Sequence, residues 1–285
     1  MNSPVITKGW LRVTLYLVSL PFTIIISSVV FIMIFSLVTG ETATGGDFIY
    51  RENIYFLIFY QLILLVTITL LTLFFRKFID NKTFVSLGFY KFQIKKDLLI
   101  GILTGFACIG GGFAILFFSG YIFIETIDPD PVNLAASLML YLMVSWIEEI
   151  SFRGYILNNL MESLNPYAAL LISSLLFALF HIFNPGMSAL AFTNLFLAGM
   201  LLGVVFIYTK TIWFALSLHF SWNYFQGPVF GFNVSGVDLP GIIQTRIEEN
   251  SYISGGEFGF EGSVICSLLV IISILLLHRL YKHHI

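Results

Sequence analysis

Three charged side chains interrupt an apolar stretch at about residues 134–160: Glu148, Glu149 and Arg153. A charge at the bilayer centre costs roughly 2.5–3.5 kcal/mol even on insertion-based scales, so these groups need partners or a chemical role. In an α-helix, Glu149 and Arg153 share one face, with the acid N-terminal to the base as a favourable ion pair requires. Glu148 points about 100° away and has no basic residue within one turn. The spacing predicts one buried ion pair and one unpaired carboxylate, which is a candidate general base.

Two histidines and an asparagine lie in other apolar stretches. His181 ends the run Phe177-Ala178-Leu179-Phe180-His181, and His219 stands four residues before Asn223. His219 and Asn223 therefore share one helical face. A lone transmembrane histidine is more often a hydrogen-bonding partner between helices than a ligand, so their position relative to Glu148 decides the interpretation. The remaining histidines are grouped with the inner-surface charges of the C-terminal end: His278, His283 and His284.

The composition is that of a helical membrane protein. The chain has 285 residues, of which 58% are hydrophobic and 11% charged, with a mean hydropathy of +0.93 and a net charge of −2. No soluble domain of this length needs so much apolar surface. Cys108 and Cys266 have neither the number nor the spacing of a disulfide framework or a thiolate metal site. We find no repeat and no soluble domain, and expect one all-α integral membrane domain over residues 1–285.

Eight apolar stretches are near the roughly 20 residues that a helix needs to cross the hydrocarbon core. They are residues 12–38, 54–75, 98–124, 134–160, 166–183, 188–208, 211–230 and 262–281. The first is too long for the apolar region of a signal peptide, so we interpret it as a retained span. Eight spans place both termini on the same side. The outer loop at residues 231–262 is glycine-rich and acidic, and we expect it to be partly disordered or to act as a lid.

The distribution of charge predicts which side that is. With the N-terminus inside, inner segments carry most of the basic residues: Lys8, Arg12, Arg76, Lys77, Lys82, Lys91, Lys95, Lys96, Lys210, Arg279 and Lys282. Outer loops carry only Arg51 and Arg246, together with acids that include Glu41, Asp47, Glu52, Glu125, Asp128 and Asp130. The positive-inside rule therefore predicts that both termini are cytoplasmic.

The depth of each polar residue tests whether they can meet. At 1.5 Å per residue, Glu148 lies about 18 Å above the inner end of its span, and His181 about 22 Å. His219 lies about 12 Å and Asn223 about 18 Å above the inner end of theirs. All four are near the middle of the bilayer, so three helices can contribute to one polar cavity.

Three motifs in this order on successive membrane helices resemble a known family. They are Glu-Glu-x-x-x-Arg at 148–153, Phe-x-x-x-His at 177–181 and His-x-x-x-Asn at 219–223. The resemblance is to the CAAX proteases and bacteriocin-processing enzymes, that is, the type II CAAX prenyl endopeptidases and their bacterial relatives, also called the Abi family. It covers about residues 135–226, which we treat as a catalytic core.

The resemblance implies intramembrane hydrolysis of a peptide bond. By analogy, Glu148 with His181 would activate the attacking water. His219 and Asn223 would bind the oxyanion or complete a metal site, and Glu149 with Arg153 would hold these groups in place. The other interpretations are a non-catalytic membrane protein, such as an immunity factor that binds a peptide, and a proton-coupled transporter. The spans show no inverted repeat and no paired broken helices, which counts against a transporter.

The need for a metal is open at this stage. Glu148, His181, His219 and Asn223 could together coordinate a divalent ion such as zinc and leave a position for water. There is no His-Glu-x-x-His helix, and asparagine is an uncommon zinc ligand, so a metal-free mechanism is also coherent. The family is usually described as metal-dependent, which favours the metal.

The expected partners follow from this interpretation. The substrate is a membrane-associated peptide or protein in the lipid bilayer, and nothing points to nucleic acid or to a particular oligomeric state. From the compact size and the lack of organelle signals we expect a multi-pass protein of a bacterial cytoplasmic membrane.

Overall fold

The computed structural model describes residues 3–40, 54–247 and 251–282. Eight helices occupy the eight predicted stretches: α1 (Gly9–Thr39), α2 (Ile54–Ile79), α3 (Ile94–Phe118), α4 (Pro131–Leu160), α5 (Pro166–Phe180), α6 (Ala189–Thr209), α7 (Trp213–Tyr224) and α8 (Val264–Tyr281). Several residues used for the topology prediction lie outside the described ranges: Glu41, Asp47, Arg51, Glu52, His283 and His284.

The helices confirm an all-α, multi-pass membrane protein. Among the described residues, six helices are long and apolar enough to cross a bilayer, namely α1 to α4, α6 and α8. Helix α5 is apolar but has only 15 residues. Helix α7 has 12 residues and continues into a π-helical turn at Phe225–Val229. The count of eight spans, the cytoplasmic termini and the single domain remain predictions.

The third predicted span, 98–124, is wrong at its C-terminal end. Helix α3 stops at Phe118, and Gly120 follows in a left-handed conformation (φ +76°), which glycine adopts without steric cost. The next residues form strand β1 (Ile122–Ile127), which pairs antiparallel with β2 (Ile243–Ile247). Three of the six residues of β1 are isoleucines, whose branched side chains suit a strand. The predicted outer loop at 231–262 is therefore partly ordered by pairing with the segment after α3.

Helix α4, which carries the acidic pair, is not a regular α-helix. Asp130 caps its N-terminus by accepting hydrogen bonds from the backbone N–H groups of Val132 and Asn133. The helix is α-helical as far as Glu149 and widens to a π-helix over Ile150–Leu157. Such π-segments occur frequently at functional sites. This widening was not predicted from the sequence.

Glycines allow α3 to pack directly against α7. A Cβ atom added at Gly101 would collide with Ser217 Oγ and lie 2.7 Å from Phe214 O and 2.9 Å from Leu218 N. Two of these atoms belong to the backbone and cannot rotate away. Small residues at such positions let helices approach closely.

The variant Gly101→Ala should therefore lower stability by about 1–3 kcal/mol, the usual cost of overpacking. The matched control is Gly111→Ala on the same helix, where an added Cβ meets no atom within 4 Å. Thermal unfolding of both variants in detergent measures the difference. Equal midpoints for the two variants would contradict the packing argument.

A polar cluster at the predicted inner side ties α1 to α4 and to the end of α2. Arg12 donates to Glu162 over 2.7 Å and lies 3.6 Å from Asp80, and Lys82 also contacts Glu162. Asp80 accepts a further hydrogen bond from Tyr155 at 3.1 Å. These contacts join residues that are far apart in the sequence.

Glu162 lies outside the membrane spans, and its pKa is lowered. Burial raises the pKa, but hydrogen bonds and charges from Arg12 and Lys82 lower it more. A carboxyl group with a lower pKa in the folded state stabilises the protein above its unfolded pKa and loses that contribution as the pH falls through the folded value. We expect Glu162→Gln to unfold at a lower temperature than wild type at pH 7, and the gap to close in acid. A gap that is independent of pH would rule out the charge contribution.

Candidate functional site

The predicted ion pair on α4 is present and fully buried. Arg153 Nη1 donates to Glu149 Oε1 over 2.9 Å, and Nη2 donates to the Gly199 carbonyl of α6 over 3.0 Å. The guanidinium carbon also lies 4.6 Å from the ring centroid of Phe177 on α5. One arginine therefore connects three helices behind the site.

Glu149 also orients the histidine of α7. His219 Nδ1 lies 2.8 Å from Glu149 Oε1, the same oxygen that accepts from Arg153. Because a carboxylate can only accept, Nδ1 must carry the hydrogen of this bond. A neutral His219 then presents the lone pair of Nε2 on the other side of its ring.

His181 is oriented by the end of its own helix. It follows the last residue of α5, and its Nδ1 lies 2.8 Å from the Phe177 carbonyl. The last four carbonyls of a helix lack intrahelical partners, and the imidazole satisfies this one. A carbonyl can only accept, so Nδ1 carries the hydrogen and the Nε2 of a neutral His181 is also an acceptor.

Both Nε2 atoms face the carboxylate of Glu148. The distance from Glu148 Oε2 is 3.6 Å to His181 Nε2 and 3.9 Å to His219 Nε2. These separations exceed normal hydrogen bonds and leave room for a bridging water or ion. Among the described side chains Glu148 Oε2 is buried and has no direct hydrogen-bond partner. The structure thus brings a carboxylate and two imidazoles from three helices to one point.

The convergence point opens into a cavity of about 350 Å³. Asn223 also lines this cavity and is 6% exposed, one helical turn after His219. Most of the wall is aliphatic or aromatic. Of the predicted site residues, four line the cavity (Glu148, His181, His219 and Asn223), while Glu149 and Arg153 lie behind it.

Several polar residues of the cavity wall were not predicted from the sequence. They are Gln61, Ser151, Asn184, Ser235 and Glu261. Glu261 falls within the acidic outer loop predicted at residues 231–262. Its position three residues before the last apolar helix was the available signal, because that helix had to pack against the others and bring its N-terminal end to the cavity.

The chemistry of the donor set suits a divalent cation. Two neutral imidazole nitrogens and a carboxylate oxygen present lone pairs to one point, with no hydrogen-bond donor among them. Within the described part of the chain, however, no group of three or more His, Cys, Asp and Glu side chains has the spacing of a metal site. The donors would have to close around an ion. A metal held by Glu148, His181, His219 and Asn223 therefore remains a proposal.

Comparison with known proteins gives one match. Residues 130–225, from the cap of α4 through the end of α7, match the family model described as type II CAAX prenyl endopeptidase Rce1-like. Neither the curated proteins nor the solved structures gave a significant match. The matched range contains all three motifs, and the family prediction is confirmed. Residues 130–225 of this chain are therefore similar to the Rce1-like family of type II CAAX prenyl endopeptidases.

Proposed function

We propose that this protein is an intramembrane endopeptidase that hydrolyses a peptide bond in a membrane-associated peptide or protein. The family match supports the class of reaction. The observation that carries the mechanism is the position of Glu148 Oε2, which faces both Nε2 atoms at distances that one water can bridge. This carboxylate is the only member of the acidic pair that has no guanidinium partner.

The first step activates water. A water between Glu148 and His181 donates one hydrogen to the carboxylate and can donate the other to His181 Nε2. Glu148 removes a proton as the water oxygen attacks the carbonyl carbon of the scissile bond. The apolar wall of the cavity limits bulk water, which strengthens these polar interactions.

The second step stabilises and resolves the tetrahedral intermediate. The Asn223 amide can donate to the oxyanion. A neutral His219 cannot, because its only hydrogen is on Nδ1 and is given to Glu149. His219 therefore acts on the oxyanion only when it is protonated, or through a bound ion. Glu148 then returns its proton to the amide nitrogen, the C–N bond breaks, and the products are a carboxylic acid and an amine.

A divalent metal would be held by Glu148, His181, His219 and Asn223. When bound, it would polarise the carbonyl and make the water more acidic. We expect treatment with a strong chelator to abolish cleavage and one equivalent of Zn²⁺ to restore it, with metal content measured on the same samples by elemental analysis. Full activity in metal-free protein would favour the glutamate mechanism without metal.

The test of the function is proteolysis by the purified full chain in detergent, using membrane-associated candidate peptides. The Glu148→Gln variant is the catalytic control. A peptide-binding immunity protein would bind such peptides and leave them intact, and would tolerate Glu148→Gln. A proton-coupled transporter would instead show flux in proteoliposomes.

The physiological setting remains part of the proposal. Among the described residues, six apolar helices indicate a multi-pass membrane protein, and we propose the cytoplasmic membrane of a bacterium with both termini inside. In that setting a small peptide, a leader or a membrane protein is a more natural substrate than a prenylated tail.

A further inference from the structure

A second carboxylate lines the same cavity and has no role in the proposed reaction. Glu261 lies in the turn Phe260–Gly262, just before Ser263 caps the N-terminus of α8. It is 6% exposed and belongs to the cavity wall together with Glu148, His181 and His219. The proton transfers described above do not use it.

Four hydrogen bonds hold the Glu261 carboxylate in one orientation. Oε2 accepts from the backbone N–H and the hydroxyl of Ser235, each over 2.8 Å, and from Gln226 Nε2 over 3.3 Å. Among the described residues, Oε1 accepts a hydrogen bond only from Trp222 Nε1, over 3.2 Å. All four hydrogen bonds found for this carboxylate in the described ranges come from donors, which suits its ionised form.

The backbone around Glu261 is also fixed. Asn194 on α6 donates from Nδ2 to the carbonyl of Glu261 over 2.7 Å and to that of Ser263 over 2.8 Å. A ligand that binds Glu261 therefore meets a group that is already ordered, and little additional entropy is lost on binding.

The charges around the cavity leave this carboxylate uncompensated. The cavity wall contains Glu148 and Glu261 but no lysine or arginine from the described residues. The guanidinium of Arg153 lies behind the wall and is bonded to Glu149. No cationic side chain in the described ranges forms an ion pair with Glu261. A carboxylate offers about four acceptor positions, and Oε1 uses only one, so a position remains for a ligand.

We propose that Glu261 binds a cationic nitrogen of the substrate peptide and so selects positively charged substrates. The cation is the side chain of a lysine or arginine, or the free α-amino group. This inference rests on the proposed function and adds a specificity determinant to it. In a cavity with apolar walls, a charge-assisted hydrogen bond is stronger than one in water, and a neutral peptide would forgo it.

The competing role for Glu261 is purely structural. Its bonds to Ser235 and Trp222 join the outer loop to α7, and Trp222 is adjacent to Asn223. A structural anchor would affect the cleavage of every peptide equally. The two roles are therefore distinguished by comparing charged with neutral peptides and by measuring KM and kcat separately for each peptide.

The experiment uses the full chain in detergent and a set of fluorogenic membrane-associated peptides. A single lysine is moved along the peptide, then replaced by norleucine, and each peptide is made with a free or an acetylated N-terminus. For wild type we expect kcat/KM to fall about 10- to 100-fold when the selected cation is lost, mainly through KM, as expected for one hydrogen bond to a charged group. The comparison of lysine with norleucine tests recognition of a side chain, and the comparison of free with acetylated N-termini tests recognition of the α-amino group.

The variant Glu261→Gln should remove this preference while cleaving the neutral peptides within a few-fold of wild type. The matched control is Glu257→Gln, an exposed acid of the same loop outside the cavity wall, which should keep the full preference. If Glu261→Gln fails to fold, the wild-type series still tests the inference, because a wild-type enzyme without a preference for the cation overturns it.

Equal cleavage of charged and neutral peptides by wild type would overturn the inference and leave the proposed function intact. A uniform loss of kcat in Glu261→Gln, with the charge preference kept, would also overturn it. Cleavage of none of the peptides by wild type would count against both the inference and the proposed function.

Discussion

The Glu148→Gln variant should lose peptide cleavage by about 10²- to 10⁴-fold, the usual contribution of a general base. Glutamine has nearly the same shape and fills the same position between His181 and His219. Its amide cannot remove a proton from water, so the loss falls on kcat. The measurement is kcat and KM for one peptide in detergent, together with the thermal unfolding midpoint.

Stability should change little in this variant, because the carboxylate that it replaces has no direct hydrogen-bond partner at Oε2. The matched control is Glu125→Gln on β1, where an exposed acid lies 3.7 Å from Arg246 and is not part of the cavity wall. An exposed pair of this kind contributes at most about 1 kcal/mol. Normal cleavage by Glu148→Gln would remove the basis of the proposed mechanism.

The Arg153→Met variant should lower stability by about 3–5 kcal/mol, because it leaves the buried charge of Glu149 without its guanidinium. It also removes the hydrogen bond to the Gly199 carbonyl, which is buried between α5 and α6. Activity should fall in parallel, since Arg153 no longer fixes the position of the Glu149 carboxylate that orients His219. Thermal unfolding in detergent and kcat measure the two effects.

The double variant Glu149→Gln/Arg153→Met tests the cause. Replacing the stranded carboxylate by a neutral amide should recover much of the lost stability, because no uncompensated charge remains. The amide oxygen can still accept from His219 Nδ1. A double variant as unstable as Arg153→Met alone would show that packing around Arg153, and not the buried charge, accounts for the loss.

Local spacing predicted one contact near the proposed site that the structure contains. The Glu149–Arg153 pair depends only on residues four positions apart in one helix, and the structure contains it. The depth argument also placed Glu148 and His219 near one level, and the structure brings them to 3.9 Å between Oε2 and Nε2. The roles of these residues and of a metal remain predictions that the variants above test.

Other features could not be read from spacing. The widening of α4 after Glu149 has no signal in the residue spacing. The hydrogen bond from His219 to Glu149 joins α7 to α4, so its partner depends on the rotation of both helices. The pairing of β1 with β2 joins segments more than 100 residues apart, and the periodicity of α3 gave no sign of it.

The sequence by itself determined the class of the protein and the approximate positions of its helices. It also determined that Glu149, and not Glu148, pairs with Arg153. These features follow from the length of the apolar stretches and from contacts within one helical turn. Neither depends on how a helix packs against its neighbours. Only the tertiary structure decided which nitrogen of each histidine faces Glu148, that one glutamate orients both Arg153 and His219, and that Glu261 lines the cavity. Those properties arise from contacts between helices, and such contacts are fixed by packing across the whole bundle.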